Sequence, residues 1–247
     1  MVDVKGRWVF ITGASRGIGK LMAMELASRG ANLILHARKK SNLDEVVSFV
    51  ESKGGIYKVV EAELSDYVQV NAMLDEICSF GINVDIVYNN AGLQVTYRPD
   101  VFDTVAEDYD TSFRINTVAP MMICYRLLPK MLENGFGRIV NTTSGIANEP
   151  EQGPYSASKA GLDKVTADLT KITRAKTDAD VLVFLTDPGW CRTDLGGPNA
   201  PNSPESAVNG MVAPGLAEAG SKDGYVVHAQ DYAGKTIEEI VSILKNA

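Results

Sequence analysis

The chain has 247 residues, 45% of them hydrophobic, enough to bury a substantial core as one α/β domain rather than two. A formal net charge of −7 gives no broad basic footprint and excludes nucleic acid and an anionic membrane as general partners. Only His36 and His228 are present, without an H-E-x-x-H pattern, and Cys78, Cys124 and Cys191 are widely spaced, which argues against a metal site and for reduced thiols.

Polar Asp3, Lys5 and Arg7 lead straight into the first strand, leaving no room for a signal peptide, and no apolar run is of bilayer-spanning length. The expectation is a cytoplasmic protein. Trp8-Val9-Phe10-Ile11 is of strand length and runs into Thr12-Gly13-Ala14-Ser15-Arg16-Gly17-Ile18-Gly19. A helical repeat of Leu21, Met22, Met24, Leu26 and Ala27 follows and stops at Gly30. Strand, glycine turn and helix start together make a phosphate site. Gly13 permits the tight turn, Gly17 the close approach of a ligand, and Gly19 the packing of helix on strand. Five residues separate Gly13 from Gly19-Lys20, and Leu21 stands where a nucleoside-triphosphate loop needs Ser or Thr, so ATP binding is disfavoured.

Further strands centre on Ile34, Val59, Ile86, Ile139, Val183 and Val226, with helical patterns between them and no linker or repeat. This alternation reads as parallel crossover units in a doubly wound sheet. Asn90-Ala91-Gly92 follows the strand at Ile86. Asn116 lies in a helical stretch four residues before Pro120, whose missing N–H leaves the Asn116 carbonyl free. The proline either serves that free carbonyl or only bends a helix around the core. Ser144 falls at a strand's carboxyl end, where a hydroxyl can donate to a carbonyl. Tyr155 and Lys159 are four apart and share one helix face. Free Tyr titrates near ~10 and free Lys near ~10.4, so a fixed ammonium can bring the phenol toward neutral pH, where it passes a proton to substrate. Beyond Val183, Gly196 to Pro204 reads as a loop leading into a short helix.

Thr12 to Gly19, Asn89-Asn90-Ala91-Gly92, Asn116, Ser144, and Tyr155 with Lys159 resemble the ordered signature of the short-chain dehydrogenase/reductase family over nearly the whole chain. Pro188 to Pro198 is similar to the segment after the sixth strand in the carbonyl reductase and sniffer-like branch. The resemblance implies a single doubly wound Rossmann-type α/β domain over residues 1–247, with a mainly parallel seven-stranded sheet flanked by helices and a substrate loop at about 190–220. It implies catalytic roles for Asn116, Ser144, Tyr155 and Lys159, with the Asn116 backbone holding a water that continues the proton path from Lys159. For the cofactor it implies Gly13, Ser15, Arg16, Gly17, Ile18, Gly19, Arg38, Leu64, Asn90, Ala91, Gly92, Tyr155, Lys159, Pro188, Gly189, Cys191 and Thr193. Glu63 departs from the family, standing where an Asp commonly contacts adenine.

An NAD site usually has a carboxylate about twenty residues beyond the glycines, at the end of the second strand. Ala37 occupies that place; Arg38 follows it and Arg16 lies in the glycine turn, which favours the 2′-phosphate of NADP(H) over Arg38-Lys39-Lys40 as a solvated charge run. The expected activity is NADPH-dependent reduction of a ketone or aldehyde, with Leu93, Gln94, Val95, Ile146, Trp190 and Leu195 bordering the pocket. Reduction of a 3-oxoacyl thioester is the alternative within the class, and a dinucleotide-binding regulator without turnover the alternative outside it. Apolar faces over Met121 to Leu132 and Ala157 to Leu169 resemble the family's pairing helices and imply a homodimer, possibly a homotetramer. A last helix from Thr236 to Lys245 is expected to cover the sheet edge or form a second interface, the cover being favoured.

Overall fold

The computed structural model describes residues 1–96, 98–150, 152–176 and 179–246. The seven expected strand centres all lie in strands: β1 Trp8–Ile11, β2 Asn32–Ala37, β3 Tyr57–Glu61, β4 Val84–Asn89, β5 Phe136–Thr142, β6 Asp180–Asp187 and β7 Val226–His228. They form one sheet of order β3-β2-β1-β4-β5-β6-β7 in which each neighbouring pair is parallel. Parallel neighbours need crossovers, which the helices supply: α1 Gly17–Ser28, α2 Asp44–Ser52, α3 Tyr67–Ser79, α4 Ala106–Phe113, α5 Ala119–Asn134, α6 Gly153–Lys176 and α7 Pro204–Val212; α8 Ile237–Asn246 follows the last strand. No helix among the described residues is long and apolar enough to cross a membrane.

Strand periodicity sorts the core into two layers. Val9, Ile11, Leu33 and Leu35 point to the face that α1, α7 and α8 cover, while Phe10 and Ile34 between them meet α3 and α5 on the other. The helix ends follow local chemistry. Gly30 sits at φ +81° just past α1, and the Asp66 carboxylate accepts from the Val68 and Gln69 N–H groups at the start of α3.

Between α4 and α5 the chain makes a π-helical turn, Arg114–Val118, closed by the Ala119 N–H donating to the Arg114 carbonyl five residues back. Pro120 has no proton to offer Asn116, so the expected break in the helix takes the form of a π-turn. At the other end of the chain, Thr236 and Glu239 cap α8 reciprocally. Its Ile237, Ile240, Val241 and Leu244 are buried in the layer shared with α1 and α7, against the turn Ala213–Leu216. The helix therefore belongs to the sheet's face, which corrects the expectation of a cover along the edge strand: four apolar residues on one stripe bury more surface under a layer than beside a three-residue strand.

β1 and β4 are neighbours whose chains then wind to opposite sides of the sheet, so a crevice opens at their carboxyl ends.

Candidate active site

The crevice is closed by hydrogen bonds between the ends of β1 and β4. Thr12 Oγ1 accepts from the Ala91 N–H at 3.0 Å, and Asn90 Nδ2 donates to the Thr12 carbonyl at 3.0 Å. This draws the two loops so close that side chains are excluded. A Cβ on Gly13, which sits at φ +67°, would lie 3.0 Å from Ala91 Cα, and one on Gly19 would lie 2.3 Å from the Gly13 oxygen. Helix α1 opens with no side-chain cap and no acidic residue in its first turn. Ser15, Gly17 and Ile18 therefore surround helix-start N–H groups free to meet an anion, and the cradle fits a dinucleotide phosphate. Thr193 closes its far side, its methyl 3.3 Å from the position of a Cβ on Gly17, and Arg16 Nη1 pairs with Asp194 Oδ2 at 2.5 Å across the same gap.

At the end of β2, where the adenosine is expected, Ala37 is buried and Arg38 exposed, with Leu64 buried beyond β3. Arg16 is turned to Asp194, and Lys40 pairs with Glu76 at 3.1 Å. Glu63 Oε1 accepts from the Ser65 N–H and hydroxyl, each at 3.2 Å, so its carboxylate serves its own turn. His36 Nδ1 accepts from the Gly13 N–H at 3.2 Å while Nε2 faces the Ala62 carbonyl at 3.1 Å, tying the glycine turn to β2 and the end of β3. Burial holds its pKa down at about 4, which keeps the ring neutral and Nδ1 an acceptor.

Tyr155 and Lys159, the pair expected to react, sit on α6. Lys159 is 2% exposed, and its Nζ donates to the Thr142 carbonyl at 2.6 Å while lying 5.9 Å from the centre of the Tyr155 ring. Burial lowers the ammonium to about 8, with Asp163 and Asp187 acting against that shift. The Tyr155 phenol is raised by burial, lowered by the Ser144 hydroxyl and raised again by Asp187. The phenol therefore stands above its ordinary value, where the four-residue spacing alone suggested a lowered one. Lys159 donates to the Thr142 carbonyl, and burial is the largest influence on the phenol.

Asn116 is fully buried and acts through its side chain. Oδ1 accepts from the Leu93 N–H at 2.8 Å; Nδ2 donates to the Leu93 carbonyl at 2.7 Å and to Ser158 Oγ at 3.0 Å. It thereby clamps the loop after β4 to α6. Gly92 fits between the two functional groups: a Cβ there would stand 3.5 Å from Lys159 Nζ and 3.6 Å from Asn116 Oδ1. On the other wall, Ser156 Oγ donates to the Ile146 and Ala147 carbonyls, both at 2.8 Å, and fixes the turn that follows Ser144.

A cavity of about 480 Å³ opens on Tyr155, lined by Gln94 to Thr96, Arg98 to Val101, Thr104, Asp108 and Gln152 to Pro154. Gln94 and Val95 line it as expected, while Leu93, Ile146, Trp190 and Leu195 do not. Asn116 holds the Leu93 backbone, and Trp190 Nε1 is tied to the Gly196 carbonyl at 2.7 Å. Within the cavity wall Arg98 and Asp108 neutralise each other at 2.7 Å.

The loop after β6 is braced from β7. Gln230 Nε2 donates to the Pro188 carbonyl at 2.8 Å, and Gly189, at φ +71°, leaves room for the Gln230 side chain. Cys191 is buried and bridges to Asn202. Of the expected loop at about 190–220, the part within α7 is core, with Ala207, Met211 and Val212 fully buried.

The family model described as short chain dehydrogenase matches residues 7–203. The chain belongs to the short-chain dehydrogenase/reductase family. It is 34% identical over 188 residues to an uncharacterized oxidoreductase of Mycobacterium bovis, a stretch covering 74% of this chain and 54% of that protein, so the chain spans about half the length of that relative. An NADPH-dependent aldehyde reductase-like protein, chloroplastic, of Arabidopsis thaliana is 32% identical over 183 residues, 69% of this chain and 68% of that one. The solved structure of a 3-oxoacyl (acyl-carrier-protein) reductase from Agrobacterium tumefaciens C58 with NADP bound shares the fold at a TM-score of 0.82 and 23% identity, covering 91% of this chain and 93% of that one.

The chain also carries a pair that no sequence motif marks. His228 Nδ1 meets Asp187 Oδ2 at 3.1 Å, at the adjacent carboxyl ends of β7 and β6. The only signal was positional: both residues end strands at the rim where ligands bind.

Proposed function

We propose that the chain is an NADPH-dependent reductase of ketones or aldehydes, of the carbonyl reductase or sniffer-like kind, with Tyr155 as proton donor. The observation that carries this reading is the Tyr155 phenol, with the Ser144 hydroxyl beside it, at the wall of a cavity of about 480 Å³. Bound on the α1 cradle, the cofactor supplies hydride to the carbonyl carbon. Tyr155 gives its proton to the carbonyl oxygen, and Ser144 donates a hydrogen bond to the developing alkoxide. Lys159, with a pKa of about 8, is mostly an ammonium at neutral pH, suited to hold ribose hydroxyls and to favour the phenolate left after transfer. Asn116 positions this lysine's surroundings, and reprotonation of Tyr155 through the Lys159 side completes the balance of one hydride and one proton per alcohol formed. Oxidation uses the same groups in reverse.

Preference for NADP(H) is supported by Ala37 in place of a carboxylate, by exposed Arg38, and by Arg16 in the glycine turn, whose partner Asp194 a 2′-phosphate would displace. The NADPH-dependent name of the Arabidopsis relative points the same way. We place the protein in the cytoplasm as a homodimer. Exposed Tyr109, Tyr125 and Ile172 on α4, α5 and α6 supply apolar surface for the pairing. Reduction of a 3-oxoacyl thioester stands second, because an acidic surface gives an acidic carrier protein little to dock on.

The test is NADPH oxidation with a panel of diketones, quinones, aldehydes and a 3-oxoacyl thioester. Turnover of a free carbonyl compound supports the reading. Tight NADPH binding without turnover of any of them replaces it with a dinucleotide-binding regulator.

A further inference from the structure

The wall of the cavity at Tyr155 carries charge of its own, and the mechanism above uses none of it. Arg98, on the loop after β4, meets Asp108, in the first turn of α4, with Nε 2.7 Å from Oδ2. Both residues line the cavity beside Tyr155, and so does Asp100. The Asp108 side chain is 15% exposed and that of Arg98 34%, so the pair stands partly out of water, where salt screens it less than on open surface. The hydrogen bond from Arg98 lowers the Asp108 carboxyl, which keeps it ionised at neutral pH. Asp100 Oδ1 accepts from the Phe102 N–H at 2.9 Å, a bond that leaves its charge in place. Among the described lining residues Arg98 is the one cation, against two carboxylates, and the rest of the wall is uncharged. An arginine in a pocket is the usual partner of a substrate carboxylate or phosphate. Here Asp108 already occupies it, so an anionic group brought to Arg98 meets two carboxylates as well and finds a wall of net negative charge.

We propose that Asp108 is a specificity-determining residue: by occupying Arg98 it closes the cavity to anionic carbonyl compounds such as 2-oxo acids, and so restricts the substrates to uncharged or cationic ketones and aldehydes. The assignment rests on the reductase reading of Tyr155 and narrows it to a substrate class. Polar groups on such a substrate find neutral hydrogen-bonding partners in the wall at Gln94, Thr104 and Gln152, which serve a hydroxyl or an amide without requiring charge. Selection of this kind works by repulsion as well as attraction, so removing the repulsive partner is enough to admit the anion.

The test uses three aromatic ketones of nearly one shape that differ in charge at one end: para-acetylbenzamide, para-acetylbenzoate and para-(aminomethyl)acetophenone. In the wild type kcat/KM for the benzoate should lie at least about tenfold below that for the benzamide, and the amine should bear no such penalty. NADPH is itself anionic, so it is the variants that identify the wall. Asp108→Asn leaves the Arg98 charge without its counter-charge and should raise the benzoate-to-benzamide ratio by about tenfold, mainly through KM and less at high salt. Arg98→Gln leaves the two carboxylates unopposed and should lower the ratio while favouring the amine. Asp100→Asn, which keeps the acceptor for the Phe102 N–H, should raise the ratio too, and it serves if Asp108→Asn does not fold. A ratio unchanged in both aspartate variants means that the pair only holds the loop to α4, and it overturns the proposal, as does a wild type that takes the benzoate as readily as the benzamide. Binding of the same ketones to protein loaded with NADP+, followed by ligand-observed NMR, requires no turnover. If no ketone is reduced while the benzoate binds most weakly and Asp108→Asn restores it, the charge selection stands and the reductase reading is what fails.

Discussion

Lys159 is expected to weaken the fold at neutral pH, and replacing it tests the electrostatics of the site without any ligand. Its pKa falls from the ordinary 10.5 to about 8 because it is buried. Below about pH 8 both folded and unfolded chains hold the proton, and the folded one bears the full penalty of burying it. Between 8 and 10.5 the unfolded chain binds more protons, so stability rises with pH; above 10.5 the penalty is gone. At pH 7 the shift corresponds to about 3 kcal/mol, and at about pH 9.5 to about 1 kcal/mol. Lys159→Met removes this term and also the bond to the Thr142 carbonyl, a loss of about 1–3 kcal/mol that does not vary with pH. The diagnostic quantity is therefore the change in the difference between variant and wild type. In urea unfolding it should move in favour of the wild type by about 2 kcal/mol from pH 7 to about pH 9.5. A difference independent of pH would refute a lowered ammonium at this position.

Asn116→Ala breaks three hydrogen bonds and releases Leu93, so unfolding free energy should fall by about 2–4 kcal/mol and the Leu93 amide should exchange faster; an unchanged exchange rate counts against the clamp. Ala37→Asp with Arg38→Ser should turn steady-state preference from NADPH to NADH, and a wild type that already favours NADH defeats the cofactor argument at its first step. Light scattering after size exclusion should give a dimer at micromolar concentration, and a monomer rejects the pairing through α4, α5 and α6. Deleting the chain from Thr236 onward uncovers Ile237's neighbours in the core and should unfold the protein rather than dissociate an assembly.

The fold was legible because most strands carry a short apolar stretch, and a parallel sheet covered on both faces leaves little else for such stretches to do. The glycine cradle was legible for a similar reason, since Gly13 and Gly19 answer to steric needs that no other residue meets. What escaped depends on tertiary neighbours. His36 looks like any strand histidine until the Gly13 N–H is placed against it, and Asp187 with His228 are 41 residues apart and meet only because β6 and β7 pair. The spacing of Tyr155 and Lys159 shows that they share a face of α6, but not that Lys159 reaches for Thr142 or that burial outweighs it at the phenol. Pocket residues were the least legible, because the sequence from Gln94 to Thr104 has no strong periodicity.

The central claim is hydride transfer to a carbonyl carbon with Tyr155 giving the proton, and deuterium transfer measures it most directly. Protein is incubated with NADPH deuterated at the transferring position and an accepted ketone or aldehyde, and the alcohol is analysed by mass spectrometry. Wild type should place one deuterium on the carbinol carbon, and Tyr155→Phe should bind NADPH as wild type does while transferring at least about 100-fold more slowly. Label transfer by Tyr155→Phe at the wild-type rate, or NADPH bound tightly by wild type with no label reaching any carbonyl compound, would contradict the account.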